Sequence, residues 1–169
     1  MMNLYFLRHG IALAQDDPAV SDDRERPLSH KGVKRMRKAA KGLLRLGIPF
    51  DAVLTSPLLR ARQTAEIVAS ILGVEALLEE ISGLAPESTV EHLLFGLARY
   101  QDRQHLLLVG HEPLLSDTAA SLLGGKQPGR ITFEFKKGSF CHIEKESLTS
   151  GAPGKLHCLL TPKQLRSLG

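Results

Sequence analysis

After two methionines the chain reads Asn3-Leu4-Tyr5-Phe6-Leu7-Arg8-His9-Gly10-Ile11-Ala12. Residues 3–8 predict a short buried strand that runs straight into an arginine, a histidine and a glycine. Burying an arginine and a histidine is costly unless an anion or hydrogen-bonding groups receive them. The sequence beyond this strand therefore has to supply both a sheet around it and partners for its polar end.

Short apolar runs alternate with longer segments of helical period, which implies a largely parallel sheet covered on both faces. After the first strand comes a loop with Asp16, Asp17, Asp22 and Asp23, then a helix over about 30–46, capped by Ser29 and ended by Gly47. Residues 50–55 predict the second strand, and Ser56-Pro57 a cap and first turn for a helix through about 72. A strand near 75–80, a helix near 88–100, a strand at 105–110 and a helix from Pro113 to about Leu123 continue the pattern. In the last third, 131–135 and 140–144 alternate apolar and polar around Lys137-Gly138, predicting an edge hairpin, and 155–161 is a further strand candidate. The expected architecture is a single α/β domain over 1–169: a central, mostly parallel sheet, helices on both faces and a C-terminal edge hairpin.

Composition agrees with one globular domain: 43% hydrophobic and 24% charged residues, with no linker or repeat. The first apolar run is too short for a signal-peptide core or a membrane span, which points to a cytoplasmic protein without membrane partners. Cys141 and Cys158 each neighbour a histidine, His142 and His157, which raises the question of a metal or a disulfide. Adjacent strand residues point to opposite faces, so the two pairs do not easily converge as four ligands, and reduced, half-buried thiols are the simpler reading. The net charge of +4 comes largely from Lys31, Lys34, Arg35, Arg37, Lys38, Lys41 and Arg45, interleaved at helical spacing with apolar residues. That spacing gives either a solvated helix face or a docking surface for an acidic partner; no nucleic-acid-binding module accompanies it.

Open α/β sheets bind ligands beyond the carboxyl ends of their strands. Three such ends carry unusual residues: Arg8-His9-Gly10, Ser56 through Arg60, and Gly110-His111-Glu112-Pro113. Two lead into helices whose N-terminal amides favour anions. Gathered at one sheet edge, Arg8, Arg60, His9 and His111 would form an electropositive pocket suited to a phosphoryl group, with one histidine free to act as nucleophile.

These segments resemble the histidine phosphatase superfamily: LRHG at 7–10, RPLS at 26–29 followed by Gly32, TSPLLRARQTA at 55–65 and VGHEP at 109–113. The short chain is most similar to the small bacterial SixA-type phosphohistidine phosphatases. The resemblance implies a phosphoglycerate mutase-like fold, a covalent phosphohistidine on His9, and phosphate contacts from Arg8, Arg60 and His111, with no metal or other cofactor. It implies Arg26 as a further phosphate or substrate contact, a salt bridge to a nearby aspartate being the competing role.

Superfamily members that cleave phosphate esters generally use an acid to protonate the departing alkoxide. Glu79, Glu80, Glu87 and Glu112 are the carboxylates at hand, and none sits in the usual acid-bearing context. A phosphohistidine substrate needs such an acid less, because a protonated phosphoimidazole releases neutral imidazole. The expectation is therefore a phosphatase for a phosphohistidine-bearing protein. A small-molecule phosphomonoesterase using Glu80, and an inactive phosphate-binding module, are the alternatives.

Overall fold

The computed structural model describes residues 1–124 and 131–169. In chain order it contains β1 (Met2–Arg8), α1 (His30–Leu46), β2 (Ala52–Thr55), α2 (Leu59–Leu72), β3 (Leu78–Glu80) and α3 (Val90–Leu97). There follow β4 (His105–Gly110), α4 (Leu114–Gly124), β5 (Phe140–Lys145), β6 (Lys155–Leu160) and α5 (Pro162–Ser167). Helix α1 has the bounds its signals predict. Ser29 Oγ accepts from Gly32 N at 3.0 Å, and Gly47 ends the helix in the left-handed region at φ 63°.

Period-two alternation along the strands assigns the layers. Leu106 and Leu108 join Leu4, Phe6 and Leu54 in a core covered by α3 and α4. Leu107 and Val109 join Tyr5, Leu7 and Val53 in a second core under α1, α2 and α5. All four of these β4 side chains are fully buried, each contributing about 1.5–3 kcal/mol relative to exposure. One sheet of six strands results, in the order β3-β2-β4-β1-β5-β6, with helices on both faces. Strands β1 to β4 pair in parallel, and β5 and β6 run antiparallel at one edge.

The edge hairpin is not the predicted one. Residues 131–136 form no strand, and β5 pairs with β6, the candidate at 155–161. The tertiary demands of Arg8 explain the difference. Its guanidinium donates to the Phe135 carbonyl, its own N–H to Ser139 O at 3.1 Å, and its carbonyl accepts from Gly138 N at 3.1 Å. The segment is consumed in wrapping the end of β1. Cross-strand stacking favours β6 as the partner, since His142 lies 4.3 Å from the Tyr5 ring and 4.5 Å from that of His157.

A second departure is at Ser56-Pro57. Helix α2 begins at Leu59 with Leu58 as a cap that has no side-chain bond; the Ser56 hydroxyl accepts from Leu58 N just ahead of the helix and also meets His111 Nε2. The free thiols of Cys141 and Cys158 pack on opposite faces of the sheet, Cys141 among the α3/α4 core and Cys158 against the α1/α2 core. No helix among the described residues is long and apolar enough to cross a membrane.

Candidate active site

Parallel register brings three strand ends to one edge. Arg8 lies opposite Gly110, and Thr55 opposite Val109. Beyond these pairs His9 N donates to Gly110 O at 3.1 Å and Ser56 N to Val109 O at 3.0 Å. The rings of His9 and His111 consequently lie 5.0 Å apart, tilted by 52°. Arg60, in the first turn of α2, stands beside them and is 5% exposed, as buried as His9. Arg8 projects to the α3/α4 side, half-buried near Glu112. Burial depresses both guanidinium pKa values, and the Nε donors of Arg8 and Arg60, like that of Arg62, are buried with no protein partner.

His9 is held in one tautomer. Its Nδ1 lies 2.7 Å from the Gly10 carbonyl, which can only accept, so Nδ1 carries the proton and Nε2 has the lone pair. Gly10 N in turn donates to Thr64 Oγ1 at 3.0 Å, and that hydroxyl donates to the Arg60 carbonyl at 2.7 Å. Thr64 thereby ties the end of β1 to the first turns of α2. His111 Nε2 is 2.8 Å from Ser56 Oγ, which also accepts from Leu58 N at 3.2 Å. A Cβ at Gly10 would meet Met36 Cγ at 2.6 Å, so any side chain here would force Met36 to shift.

The electrostatics keep both rings neutral. Burial, then His111, Arg60 and Arg8, push His9 down to about 2 against the opposing Gly10 bond. Burial first, then Arg60, brings His111 down to about 3, with Asp23 opposing. A buried neutral histidine takes up its proton only on unfolding. The stability at stake is therefore complete above pH 6.5, the unfolded value, and is lost as pH falls from there towards 3. These two rings are expected to contribute a slope of about 3 kcal/mol per pH unit near pH 5, and His142, brought down to about 4 by burial and then His157, adds to it with the same sign. Urea unfolding at pH 7, 6 and 5 checks this; a midpoint unchanged between pH 7 and 5 would contradict a neutral buried pair.

The loop before α1 adds a feature that the sequence reading missed. Asp23 grips Arg60: Nη1 donates to its carbonyl at 2.7 Å and Nη2 to its Oδ2 at 3.0 Å. Arg26 binds the other oxygen, Nε to Oδ1 at 2.8 Å, so of its two predicted roles the structure displays the salt bridge to an aspartate. Burial would raise the Asp23 carboxyl, but Arg60 and Arg26 outweigh it and hold the group below the usual value. Lys137, read from sequence only as a turn residue, lies on the turn that wraps Arg8; burial and the nearby Arg8, Arg26 and Arg60 lower its pKa.

The four candidate carboxylates divide as follows. Glu79 pairs with Arg99, and Glu80 with Arg62 at 3.4 Å. Glu87 pairs with Arg24 at 3.1 Å; its own backbone amide and then Arg24 hold it below the ordinary value, and it is near enough to His111 for each to influence the other. Glu112 Oε1 accepts from Ser116 N at 3.1 Å, capping the start of α4, and burial raises its pKa.

The sequence profile described as Histidine phosphatase superfamily (branch 1) matches residues 4–84. An uncharacterized protein of Picosynechococcus sp. is 44% identical over 169 residues, 97% of this chain and 99% of the relative. Phosphohistidine phosphatase SixA of Escherichia coli is 29% identical over 133 residues, covering 78% of this chain and 80% of SixA. A solved structure of the protein histidine phosphatase SixA complexed with tungstate superposes with a TM-score of 0.82 at 26% identity, over 97% of this chain and 99% of that one. With the motif-bearing strand ends at one sheet edge, a full-length relative and a shared fold, the chain belongs to the histidine phosphatase superfamily.

Proposed function

We propose that this protein is a phosphatase for protein phosphohistidine that works through a covalent phosphohistidine on His9. The observation that carries the reading is the Nδ1 bond of His9 to Gly10 O, which leaves Nε2 unprotonated beside Arg60 and His111. In the first step Nε2 attacks phosphorus in line, the substrate's N–P bond breaks, and its electron pair stays on the departing imidazole, which leaves as the protonated phosphoimidazole's neutral ring. In the second step water attacks the phosphoenzyme, releasing inorganic phosphate and restoring neutral His9. Arg8, Arg60 and His111 bind the transferring oxygens, and the unpartnered Nε donors of the two arginines fit that role. Arg26 contributes to substrate binding through Asp23 and Arg60. The matched relative named a phosphohistidine phosphatase supports the choice of substrate. So do two of the carboxylates: Glu79 and Glu80 are engaged by Arg99 and Arg62. The free thiols fit a reducing, cytoplasmic setting.

The test follows acid-labile phosphate on a histidine-phosphorylated phosphotransfer domain. Wild-type protein is expected to remove it faster than it hydrolyses alkyl phosphates. Faster turnover of alkyl phosphates, collapsing in Glu80→Gln, would replace this reading by a phosphomonoesterase. No turnover even of an aryl phosphate would replace it by a binding module.

Ser56 is a positioning residue in this scheme, acting through His111. Ser56→Ala is expected to lower kcat roughly tenfold with KM little changed, and Ser56→Thr, which keeps the hydroxyl, to recover most of it. Equal losses in both variants would assign Ser56 a packing role instead.

A further inference from the structure

We infer that the exposed face of α1, with the pocket rim it adjoins, docks the acidic surface of the phosphoprotein substrate; the inference rests on the phosphohistidine reading above. Helix α1 carries seven cations and no acid, while the chain as a whole is only +4. The rest of the molecule, with fifteen basic and eighteen acidic residues, is thus net negative. All seven cations are exposed, and among the described residues none is in an ion pair.

Folding gains little from this arrangement: Arg45 suits the C-terminal end of the helix and donates to Leu168 O, and Glu66 of α2 lines a groove with Arg37 and Lys41 without pairing to either, but the other placements are unfavourable. Lys31 and Arg35, Lys34 and Lys38, Arg37 and Lys41, and Lys41 and Arg45 are all like-charged pairs four residues apart, which oppose helix formation. Lys31 and Lys34 also stand near the positive end of the helix dipole, where acids are favoured and none is present. An ordinary solvated face mixes both signs. A face of one sign, built against local preference, is explained by a partner of the opposite sign.

Its position ties it to the pocket. Helix α1 starts at the loop that follows His9: Ser29 N and Ser29 Oγ both donate to Ile11 O, at 2.9 and 3.0 Å. Arg35, Arg166 and Lys137 line one cleft with Gly10 and Ile11. Positive charge therefore runs from the arginines of the pocket through Lys137 and Arg35 along the helix, for about 25 Å at 1.5 Å per residue. A protein fits this track better than the other polyanions. Helix α1 has no aromatic residue on which bases would stack, and its apolar side is buried against the sheet rather than free to enter a membrane.

The experiment compares wild type with Lys34→Glu/Lys38→Glu/Lys41→Glu, none of which lines the pocket, on two substrates. One is a histidine-phosphorylated phosphotransfer domain with an acidic surface; the other is p-nitrophenyl phosphate. Unchanged turnover of the aryl phosphate reports an intact fold and site. On the protein substrate kcat/KM is expected to fall at least roughly tenfold, through KM, and the wild-type value to fall steeply with added NaCl. An unaltered kcat/KM on the protein substrate overturns the inference while leaving the phosphohistidine reading standing. Aryl phosphate turnover without any action on the phosphoprotein removes that reading, and the inference with it. Salt-sensitive binding of duplex DNA or anionic vesicles, lost in the triple variant without loss on the protein substrate, assigns the face to those partners instead. Should the glutamate variant not fold, Lys34→Gln/Lys38→Gln/Lys41→Gln gives the same comparison with a smaller expected loss.

Discussion

His9→Ala is expected to lower phosphatase kcat by at least about 10³-fold, with no covalent phosphoenzyme trapped by rapid quench. The magnitude follows from the role proposed for the ring. If Nε2 forms the bond to phosphorus, its loss forces water to attack directly, and the remaining pocket provides only binding and charge stabilisation. The phosphate ligands are retained in this variant, so product phosphate should still compete for the site with similar affinity. His111→Ala tests the division of labour: it should cost less in turnover and still yield a trappable phosphoenzyme, because His111 is proposed to bind oxygens and not to accept the phosphoryl group. A His9→Ala protein that keeps more than a tenth of its turnover would rule out the covalent route. The variant removes a buried ring whose Nδ1 is bonded to Gly10 O, so circular dichroism should accompany the kinetics.

The largest expected effect on stability comes from Gly32→Ala. A Cβ at Gly32 would stand 2.0 Å from Ile11 O and 2.9 Å from Ile11 C, against backbone that has no rotamer to retreat into. Relief requires the start of α1 to move away from the loop after His9. That movement breaks the two hydrogen bonds that Ser29 makes to the same Ile11 carbonyl. We expect a loss of about 3 kcal/mol, equivalent for a chain of this size to roughly 10 °C in melting temperature. Activity should fall too, since Ile11 follows the Gly10 that holds the His9 ring. Gly96→Ala is the control: a Cβ there meets nothing within 4 Å, and the position lies inside α3, so the same chemical change should stabilise by about 1 kcal/mol. Thermal melts of the two variants moving in the same direction would refute the steric account.

The spacing Arg26-Pro27-Leu28-Ser29 followed by Gly32 has a physical origin visible only in three dimensions. Leu28 N donates to Gln63 Oε1 at 2.7 Å, Ser29 caps α1, and Gly32 allows the helix to touch the His9 loop. In the same way Thr64 of the stretch 55–65 is four residues from Arg60 because it must reach both the Arg60 carbonyl and Gly10 N. The motif was legible in the sequence; the reason for each member was not. A search for hydroxyls one turn after a pocket arginine would have found Thr64, and the spacing of Asp23 three residues before Arg26 would have suggested their pairing.

What the sequence determined by itself was the order of the elements, the two-sided burial of the sheet, and the strand ends that carry arginine and histidine. Those properties are local: alternation of apolar residues, a serine before a helix and a glycine after it act within a few residues of one another. The tertiary structure alone decided that β5 pairs with β6, that Ser56 supports His111 and is not the cap of α2, and that Asp23 holds Arg60. The last two partnerships join side chains 55 and 37 positions apart, and they exist because parallel register brings separate crossovers to one edge, which no local pattern encodes.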